Sequence, residues 1–485
     1  MGKFKADYKL DIASLTEEFS SFWRNENPTT SIVNGGDFNH FSLEDLTQNS
    51  FNKQIKFLSE LKTKVNSISC NDNIEHLLKK ELLRSIRLKL FVLESDNPYY
   101  KNISAYLKLI SLTLYIHQDK IQKYDKESHV IIKKILNWLN IAKELQLNIT
   151  KKDMQLMSDL GNYLIEIHLT SRKSIALLIY KIIDRLDELS SKEIQYSNGG
   201  LSINKLNYLV KYCYGTEKDI NYWREYIITE LDNEIKEYKT NLYEMNNLKT
   251  KIDSTISQKL IYNLLNDLSN LGEESNIRKP LDSSWNIEKL PSLFSNFLNE
   301  GIYIHNNKFN NLLISSKIMD YKQKLNIYQI AHLYTFLSHE IYPGHHNHIS
   351  SINNEIIKNN LDSLYNPIGL EGWAVYSEQI LKLTSFRGYS NLFNIKRLLP
   401  AAIYLETLIN GEEKGDILIN KIFNSCSELY DEYKKNGGFG TPNLSYVLGY
   451  LEYKEILSCN ENININELIS YGPLTPRFII DNVYK

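Results

Sequence analysis

Two short motifs carry the residues of this sequence that are best suited to chemistry. The first is the run HEIYPGHH at residues 339–346, and the second is EGWAVYSE at residues 371–378. Two imidazoles and one carboxylate can hold a zinc ion and leave a fourth position open for water. A glutamate beside the first histidine can take a proton from that water. We therefore expect one zinc ion per chain in a hydrolytic site, with Glu340 as the general base.

The spacing after His339 departs from the usual zinc-protease pattern. In that pattern the second histidine follows four residues later on the same helical face, but here the position is Pro343. The apolar residues predict a helix over Ile327–Glu340. Pro343 should break the helix, because proline lacks a backbone donor and restricts the residue before it. Gly344 is then expected to take a positive φ and to turn the chain, which would carry a later histidine back towards the ion.

The second histidine ligand stays open among His345, His346 and His348. We favour His345 because it directly follows the turn. We expect His346 to support a ligand or to line a groove, and His348 to lie at the surface or on the substrate side. His332, two turns before His339, is expected either to orient that residue by a hydrogen bond or to pack as an ordinary helix residue.

The second motif supplies the carboxylates. We expect Glu371 to begin a helix over residues 371–384 and to be the third ligand. Glu378 follows seven residues later on the same helical face. It is expected either to accept a hydrogen bond from a ligating imidazole or to be a solvated helix charge.

The same two motifs resemble the domain-of-unknown-function 885 family, which belongs with the gluzincin-like zinc metallopeptidase clan. The resemblance covers most of the chain through three looser segments, Thr29–Asn49, Leu444–Tyr450 and Gly472–Pro476. The chain departs from the family at residues 440–443, where many relatives carry a Pro-Gly-Gln run.

This resemblance implies an all-helical peptidase fold with a deep cleft and a catalytic zinc. Carried over residue by residue, it implies that His339, His345 and Glu371 hold the metal and that Glu340 is the base. These roles agree with those that the residue types suggest by themselves.

A hydrolase of this kind needs a second group beside zinc to stabilise the oxyanion. A phenol is suitable because it is neutral at pH 7 and long enough to reach. Tyr446 is our candidate and Tyr450 the runner-up, and helix packing is the other interpretation of both. Arg477 is a candidate for binding a substrate carboxylate bidentately, or else it is a surface or interlobe residue.

Composition predicts an all-α protein. The 485 residues include only 20 Gly and 10 Pro, about half of average usage, which fits long helices joined by short loops. We expect one large helical metallopeptidase body over residues 1–485. One possible arrangement is an N-terminal lobe and a site-bearing lobe, divided near residue 270, on either side of a groove. Helical periodicity supports amphipathic helices within residues 51–68, 76–95, 103–118, 128–147, 163–189 and 216–271.

Charge and targeting signals limit the partners and the compartment. The net charge of −2 gives no sign of nucleic-acid binding. No stretch of about 18 apolar residues exists, and the N-terminus lacks the apolar core of a signal peptide. The four cysteines have no Cys-x-x-Cys spacing and predict buried thiols in a reducing compartment. We expect a cytoplasmic protein without nucleic-acid or membrane partners, and the sequence leaves its oligomeric state open.

The leading functional hypothesis is a zinc peptidase that acts on short peptides. Hydrolysis of another amide, such as an acyl amino acid, is an alternative within enzymes. A catalytically silent peptide-binding relative is an alternative of another class. A helical scaffold with a fortuitous motif would hold no stoichiometric metal, so metal analysis separates it from the others.

Overall fold

The computed structural model describes most of the chain. The described residues are 11–35, 42–123, 125–147, 149–170, 173–190, 201–247, 258–280, 285–291, 294, 301–305, 310–315, 325–425, 442–460 and 462–484. Several expectations fall outside these ranges: the N-terminal residues, part of the Thr29–Asn49 segment, Cys426, and the pair at 440–441.

The chain divides into two compact units that are built from interleaved segments. Unit 1 comprises the segments Met1–Asn71, Ile86–Gly200 and Asn286–Lys317. Unit 2 comprises Asp72–Ser85, Leu201–Trp285 and Ile318–Lys485. Each unit therefore draws residues from both sides of position 270.

Unit 1 is mainly helical, and its core is formed by apolar stripes on the helices, including the buried Trp138, Ile110 and Leu164. Its helices are α1 Ile12–Glu26, α2 Pro28–Val33, α3 Gln48–Ser67, the later part of α4 Asn73–Ser95, a 3₁₀ turn Pro98–Tyr100, α5 Ile103–Ile116, α6 Gln118–Lys123, α7 Asp125–Glu144, α8 Lys151–Thr170 and α9 Lys173–Ser190.

A small three-stranded sheet completes unit 1. Its strands are β1 Asn286–Lys289, β2 Gly301–His305 and β3 Asn310–Ile314. The central β3 pairs in parallel with β1 and antiparallel with β2. The sequence did not indicate these strands, because segments of four or five residues are too short for a clear alternation of apolar and polar side chains.

Unit 2 contains the site motifs, and its main core is formed by residues such as Trp223, Val375, Leu399 and Leu451. Its helices are the first part of α4, α10 Ile203–Tyr208, a π-helix Leu209–Cys213, α11 Ile220–Asn247, α12 Gln258–Glu274, α13 Ile327–Glu340, α14 His345–Ser350, α15 Glu355–Asn359, α16 Leu361–Leu364, α17 Pro367–Ser377, a 3₁₀ helix Glu378–Leu383, α18 Arg387–Asn410, α19 Glu412–Ser425, α20 Leu444–Cys459, α21 Ile465–Ile469 and α22 Pro476–Val483.

A buried ion pair in unit 2 anchors the segment that leads into α17. Arg84 and Glu81 are both fully buried, and the Arg84 Nε donates to Glu81 Oε2 over 2.7 Å. Arg84 Nη2 also donates to the Leu364 carbonyl oxygen at 2.6 Å, and Glu81 Oε1 accepts from the Thr475 amide at 2.5 Å. Because a buried charge is costly unless it is paired and hydrogen-bonded, this network specifies where the chain enters α17.

The structure confirms the all-α class and most of the predicted helices. The described residues of the stretch expected over 163–189 belong to α8 and α9. The structure corrects the expectation of buried thiols, because Cys213 is buried but Cys70 is half-buried and Cys459 is exposed. None of the described helices has the length and apolar character needed to span a bilayer.

Candidate metal centre

The helix that carries the first motif begins and ends where the sequence predicts. Asn326 caps the N-terminus of α13 in a capping box with Gln329, since each side chain bonds the backbone of the other residue at 2.9 Å. The apolar stripe of α13 is buried in unit 2. The helix stops at Glu340 and α14 starts at His345. The predicted break at the Pro-Gly pair is therefore confirmed.

The turn between α13 and α14 uses Gly344 for a reason other than the one expected. Its φ is −73°, not positive. A Cβ at this position would lie 1.8 Å from the His339 carbonyl oxygen. Glycine is thus required because the chain folds back against the end of α13, and any side chain would collide with its backbone. The Tyr342–Pro343 peptide bond within this turn is cis.

Helix α17 braces the turn and the end of α13. The Trp373 indole Nε1 donates to the Pro343 carbonyl oxygen at 2.7 Å, and the Ser377 hydroxyl donates to the Ser338 carbonyl oxygen at 2.9 Å. The helix starts at Pro367 and ends at Ser377, so the expected start at Glu371 and span 371–384 were wrong. Asn366 caps it and proline occupies its first turn, which places Glu371 in the second turn.

Three side chains from these helices converge on one point. The His339 Nε2 and His345 Nε2 atoms each lie 3.5 Å from Glu371 Oε2. One ligand atom from each residue falls within 4.8 Å of the others. In tetrahedral zinc sites with bonds of about 2.0–2.1 Å, neighbouring ligand atoms are roughly 3.4 Å apart. The three side chains keep 11–20% of their surface exposed, so solvent can reach the cluster.

The other nitrogen of His339 is held by Glu378. The distance from His339 Nδ1 to Glu378 Oε1 is 2.7 Å, and a carboxylate oxygen accepts at this distance only from a nitrogen that carries hydrogen. The proton of a neutral His339 therefore belongs on Nδ1, and its Nε2 presents a lone pair. Among the described residues, Glu371 Oε2 has no hydrogen-bond donor. Lone pairs that face one another without a hydrogen between them favour a cation.

The acidic groups around His339 also favour a positive charge at this site. Burial disfavours a charged imidazole, but Glu371 and Glu378, with a further contribution from Glu340, outweigh it and raise the pKa of His339 to about 10. Burial would likewise raise the pKa of Glu371, but His345 and His339 hold it below its usual value.

Tyr446 lies against the candidate metal donors. Its ring stacks on the His339 ring, with centroids 6.0 Å apart and planes inclined by 7°. Burial, together with the charge of Glu371 and a hydrogen bond to its carboxylate, raises the pKa of Tyr446 above its usual value. The charge of Glu340 also acts on both His339 and Tyr446. The site thus brings together a neutral phenol, a nearby carboxylate and the three donors.

A close crossing of two helices sets the position of Tyr446 relative to Glu371. Gly372 on α17 meets Gly449 on α20, and a Cβ on Gly372 would lie 2.4 Å from the Gly449 Cα. A Cβ on Gly449 would lie 2.4 Å from the Ile368 carbonyl oxygen. Glu371 precedes the first glycine directly, and Tyr446 stands one helical turn before the second.

The other candidates from the sequence are not members of the group of three converging side chains. His346 and His348 are both buried, so the surface alternative for His348 was wrong, and the substrate-side alternative stays a prediction. The Tyr450 hydroxyl donates to Glu230 at 3.3 Å inside the core. Arg477 donates to Glu452 at 3.0 Å and also pairs with Glu455. The structure does not bring Tyr450 or Arg477 to the cluster.

His332 packs as an ordinary helix residue, which is the second of the two roles expected for it. Its ring stacks on Tyr328 at 6.1 Å and meets Phe393 edge-on at 5.6 Å. These contacts are those of a helix residue packed among aromatic neighbours.

One residue that the sequence did not single out belongs to the site. Arg397 on α18 donates from Nη1 to Glu378 Oε2 and from Nη2 to Glu378 Oε1, each over 2.9 Å. No local motif marks it, since it lies 19 residues from Glu378 on a helix with many polar residues. Trp373 and Ser377 do lie in the second motif, but the sequence assigned no role to them.

No family model and no curated protein matches this chain. Two solved structures share its fold. "A putative lipoprotein of unknown function" from Shewanella oneidensis has a TM-score of 0.65 and 13% identity, and covers 98% of this chain and 100% of its own. A second "putative lipoprotein", from Colwellia psychrerythraea, has a TM-score of 0.62 and 14% identity over 98% of each chain. Identities this low show the fold alone.

Proposed function

We propose that this protein is a zinc-dependent hydrolase of peptide bonds that acts on short peptides. The observation that carries the proposal is the convergence of His339, His345 and Glu371, whose lone pairs face one point. Two neutral imidazoles and one carboxylate are a donor set of catalytic zinc sites, which keep a further position for water or substrate. One ion per chain follows from the single cluster found among the described residues.

The chemistry that zinc supplies when bound is a water of lowered pKa and a Lewis acid beside the scissile carbonyl. The residues of this chain have separate tasks around it. Glu340, adjacent to His339, accepts the proton of the attacking water and later delivers it to the leaving amine. Tyr446, kept neutral by its surroundings, donates a hydrogen bond to the oxyanion.

The choice of peptides as substrates rests on the resemblance of the two motifs to the domain-of-unknown-function 885 family. Hydrolysis of another amide, such as an acyl amino acid, would use the same groups. The presence of Glu340 beside the donors speaks against a silent peptide-binding protein, which would need no base. A cytoplasmic location, with no nucleic-acid or membrane partner, stays a prediction.

Metal analysis tests the ligand set. We expect wild-type protein to bind one zinc ion per chain and His345→Ala to lose most of it. His346→Ala is a matched control, because it removes the adjacent buried imidazole and should keep the metal. Elemental analysis that shows the reverse order would overturn the assignment of His345, and a metal-free wild type would overturn the proposed function.

Cleavage of a peptide library tests the reaction. Glu340→Gln keeps the size and polarity of the side chain but cannot accept a proton at neutral pH. Turnover should fall by about 10²–10⁴, the usual contribution of a general base, while metal content stays the same. If neither wild type nor variant cleaves any library member and both bind peptides alike, the protein is a binding module instead.

A further inference from the structure

Arg397 is joined to the proposed metal site through a chain of hydrogen bonds. Its guanidinium ties both oxygens of Glu378 over 2.9 Å, and Glu378 Oε1 holds His339 Nδ1 at 2.7 Å. We propose that Arg397 is a positioning residue that, through Glu378, fixes the orientation of His339 and thereby the affinity of the site for zinc. This inference rests on the proposed function.

The geometry of Glu378 explains why a second partner matters. Its Oε1 accepts from both His339 and Arg397, and its Oε2 accepts from Arg397. A carboxylate that bonded His339 alone could rotate about its last side-chain torsion, which is broad and weakly restricted. A planar, bidentate guanidinium removes that freedom, so the Oε1 lone pair stays directed at Nδ1 and Nε2 stays directed at the cluster.

Burial makes this arrangement costly to disturb. The Glu378 side chain is only 4% exposed, whereas that of Arg397 is 25% exposed. Glu378 therefore has little access to water that could replace Arg397 as a hydrogen-bond donor. A carboxylate left in this position with one partner would move to find another, and His339 would move with it.

The packing of α18 against α13 restricts the position of Arg397. Tyr389, Phe393 and Arg397 follow at intervals of four and share one face of the helix. Phe393 packs against Tyr328 and His332 of α13, with ring centroids 5.6 Å apart in each pair. The same helix face that is held by aromatic contacts with α13 thus presents the guanidinium to Glu378, beside the end of α13 where His339 lies.

The test is the zinc dissociation constant of purified full-length protein, measured by competition with a chromophoric chelator. Arg397→Met should weaken zinc binding by about 10–100-fold, the usual effect of removing a group that orients a ligand. Arg397→Lys should weaken it less, because an ammonium keeps the charge but cannot tie both oxygens in one plane. We expect zinc affinity to decrease in the order wild type, Arg397→Lys, Arg397→Met. If the Met variant does not fold, the Lys variant alone supplies the test.

A matched control separates positioning from general stability. Arg224 pairs with Glu406 at 3.0 Å, and its side chain is 19% exposed, which is similar to Arg397. Arg224→Met removes a comparable ion pair of unit 2 away from the hydrogen bonds that reach His339, so it should leave the zinc dissociation constant unchanged. An equal loss of affinity in this variant would overturn the inference.

A double-mutant comparison tests whether Arg397 acts through Glu378. In a Glu378→Ala background, Arg397→Met should have no further effect on zinc affinity, because the path to His339 is already broken. Additive losses would overturn the proposed path. If Arg397→Met binds zinc like wild type and only raises KM for peptides with a free carboxylate, the guanidinium contacts substrate and the positioning role fails. Absence of zinc from wild type would instead defeat the proposed function.

Discussion

His339 has two ring nitrogens, and the structure gives them different partners. Nδ1 lies 2.7 Å from Glu378, while Nε2 lies 3.5 Å from Glu371. The hydrogen bond at Nδ1 determines the tautomer, and the tautomer makes Nε2 an available ligand. At the residue scale, the character of the site therefore depends on a carboxylate that would never touch the metal.

Tyr446 provides a test at this scale. Tyr446→Phe removes one hydroxyl and leaves the ring that stacks on His339. We expect kcat to fall by about 10²–10³, as for loss of one oxyanion donor, and metal content to stay the same because the phenol is not among the donors. Steady-state kinetics with zinc analysis measures both quantities. A variant with unchanged kcat would limit Tyr446 to packing.

At the scale of elements, the crossing of α17 and α20 determines the distance between Glu371 and Tyr446. The two helices touch backbone to backbone at Gly372 and Gly449, where neither position has room for a methyl group. Any separation of the helices moves Tyr446 relative to Glu371. Small residues are thus required here by packing, and the close approach that they allow sets the distance between Tyr446 and Glu371 in the proposed site.

Gly449→Ala tests this coupling. The added methyl group would overlap the Ile368 carbonyl oxygen, so the helices must separate. We expect a loss of about 1–3 kcal/mol in the free energy of unfolding, typical of overpacking, and a fall in kcat beyond what lost folding explains. Urea denaturation and kinetics of the folded fraction measure the two effects.

Gly161→Ala is the control for that experiment. Gly161 lies within α8, and nothing stands within 4 Å of the position of its Cβ. Alanine in a helix interior is favoured over glycine by roughly 0.5–1 kcal/mol, so this variant should be slightly more stable and fully active. Equal activity in the Gly449 variant would show that the crossing does not set the site geometry.

At the scale of the whole molecule, all the proposed donors and the residues that brace them belong to unit 2. The two histidines come from adjacent helices, and the carboxylate comes from a third. A preformed site of this kind exists only in the folded chain. Metal binding should therefore add to the stability of the folded state.

Zinc should accordingly raise the midpoint of thermal unfolding. A ligand at a free concentration of 100 times its Kd stabilises the folded state by about 2.7 kcal/mol, which corresponds to roughly 5–10 °C for a unit of this size. Chelation should reverse the shift, and His339→Ala should show none. Differential scanning calorimetry measures it, and an equal shift in the His339 variant would place the metal elsewhere.

The sequence by itself determined the parts of the site that depend on neighbours in the chain. The bounds of α13 follow from its apolar spacing and from the proline that ends it, and both agree with the structure. The all-α class follows from the scarcity of glycine and proline. These features are local, because helix propensity, apolar period and the geometry of proline act over a few residues.

Only the tertiary structure decided which distant groups meet. The contact of Arg397 with Glu378, the Gly372–Gly449 crossing and the collision that requires a glycine at position 344 all depend on helices packed side by side. Periodicity reports which face of a helix is buried but not which partner covers it. A single sequence therefore predicts the candidate donor residues, whereas the side chains that orient them can be identified only when the helices are packed together.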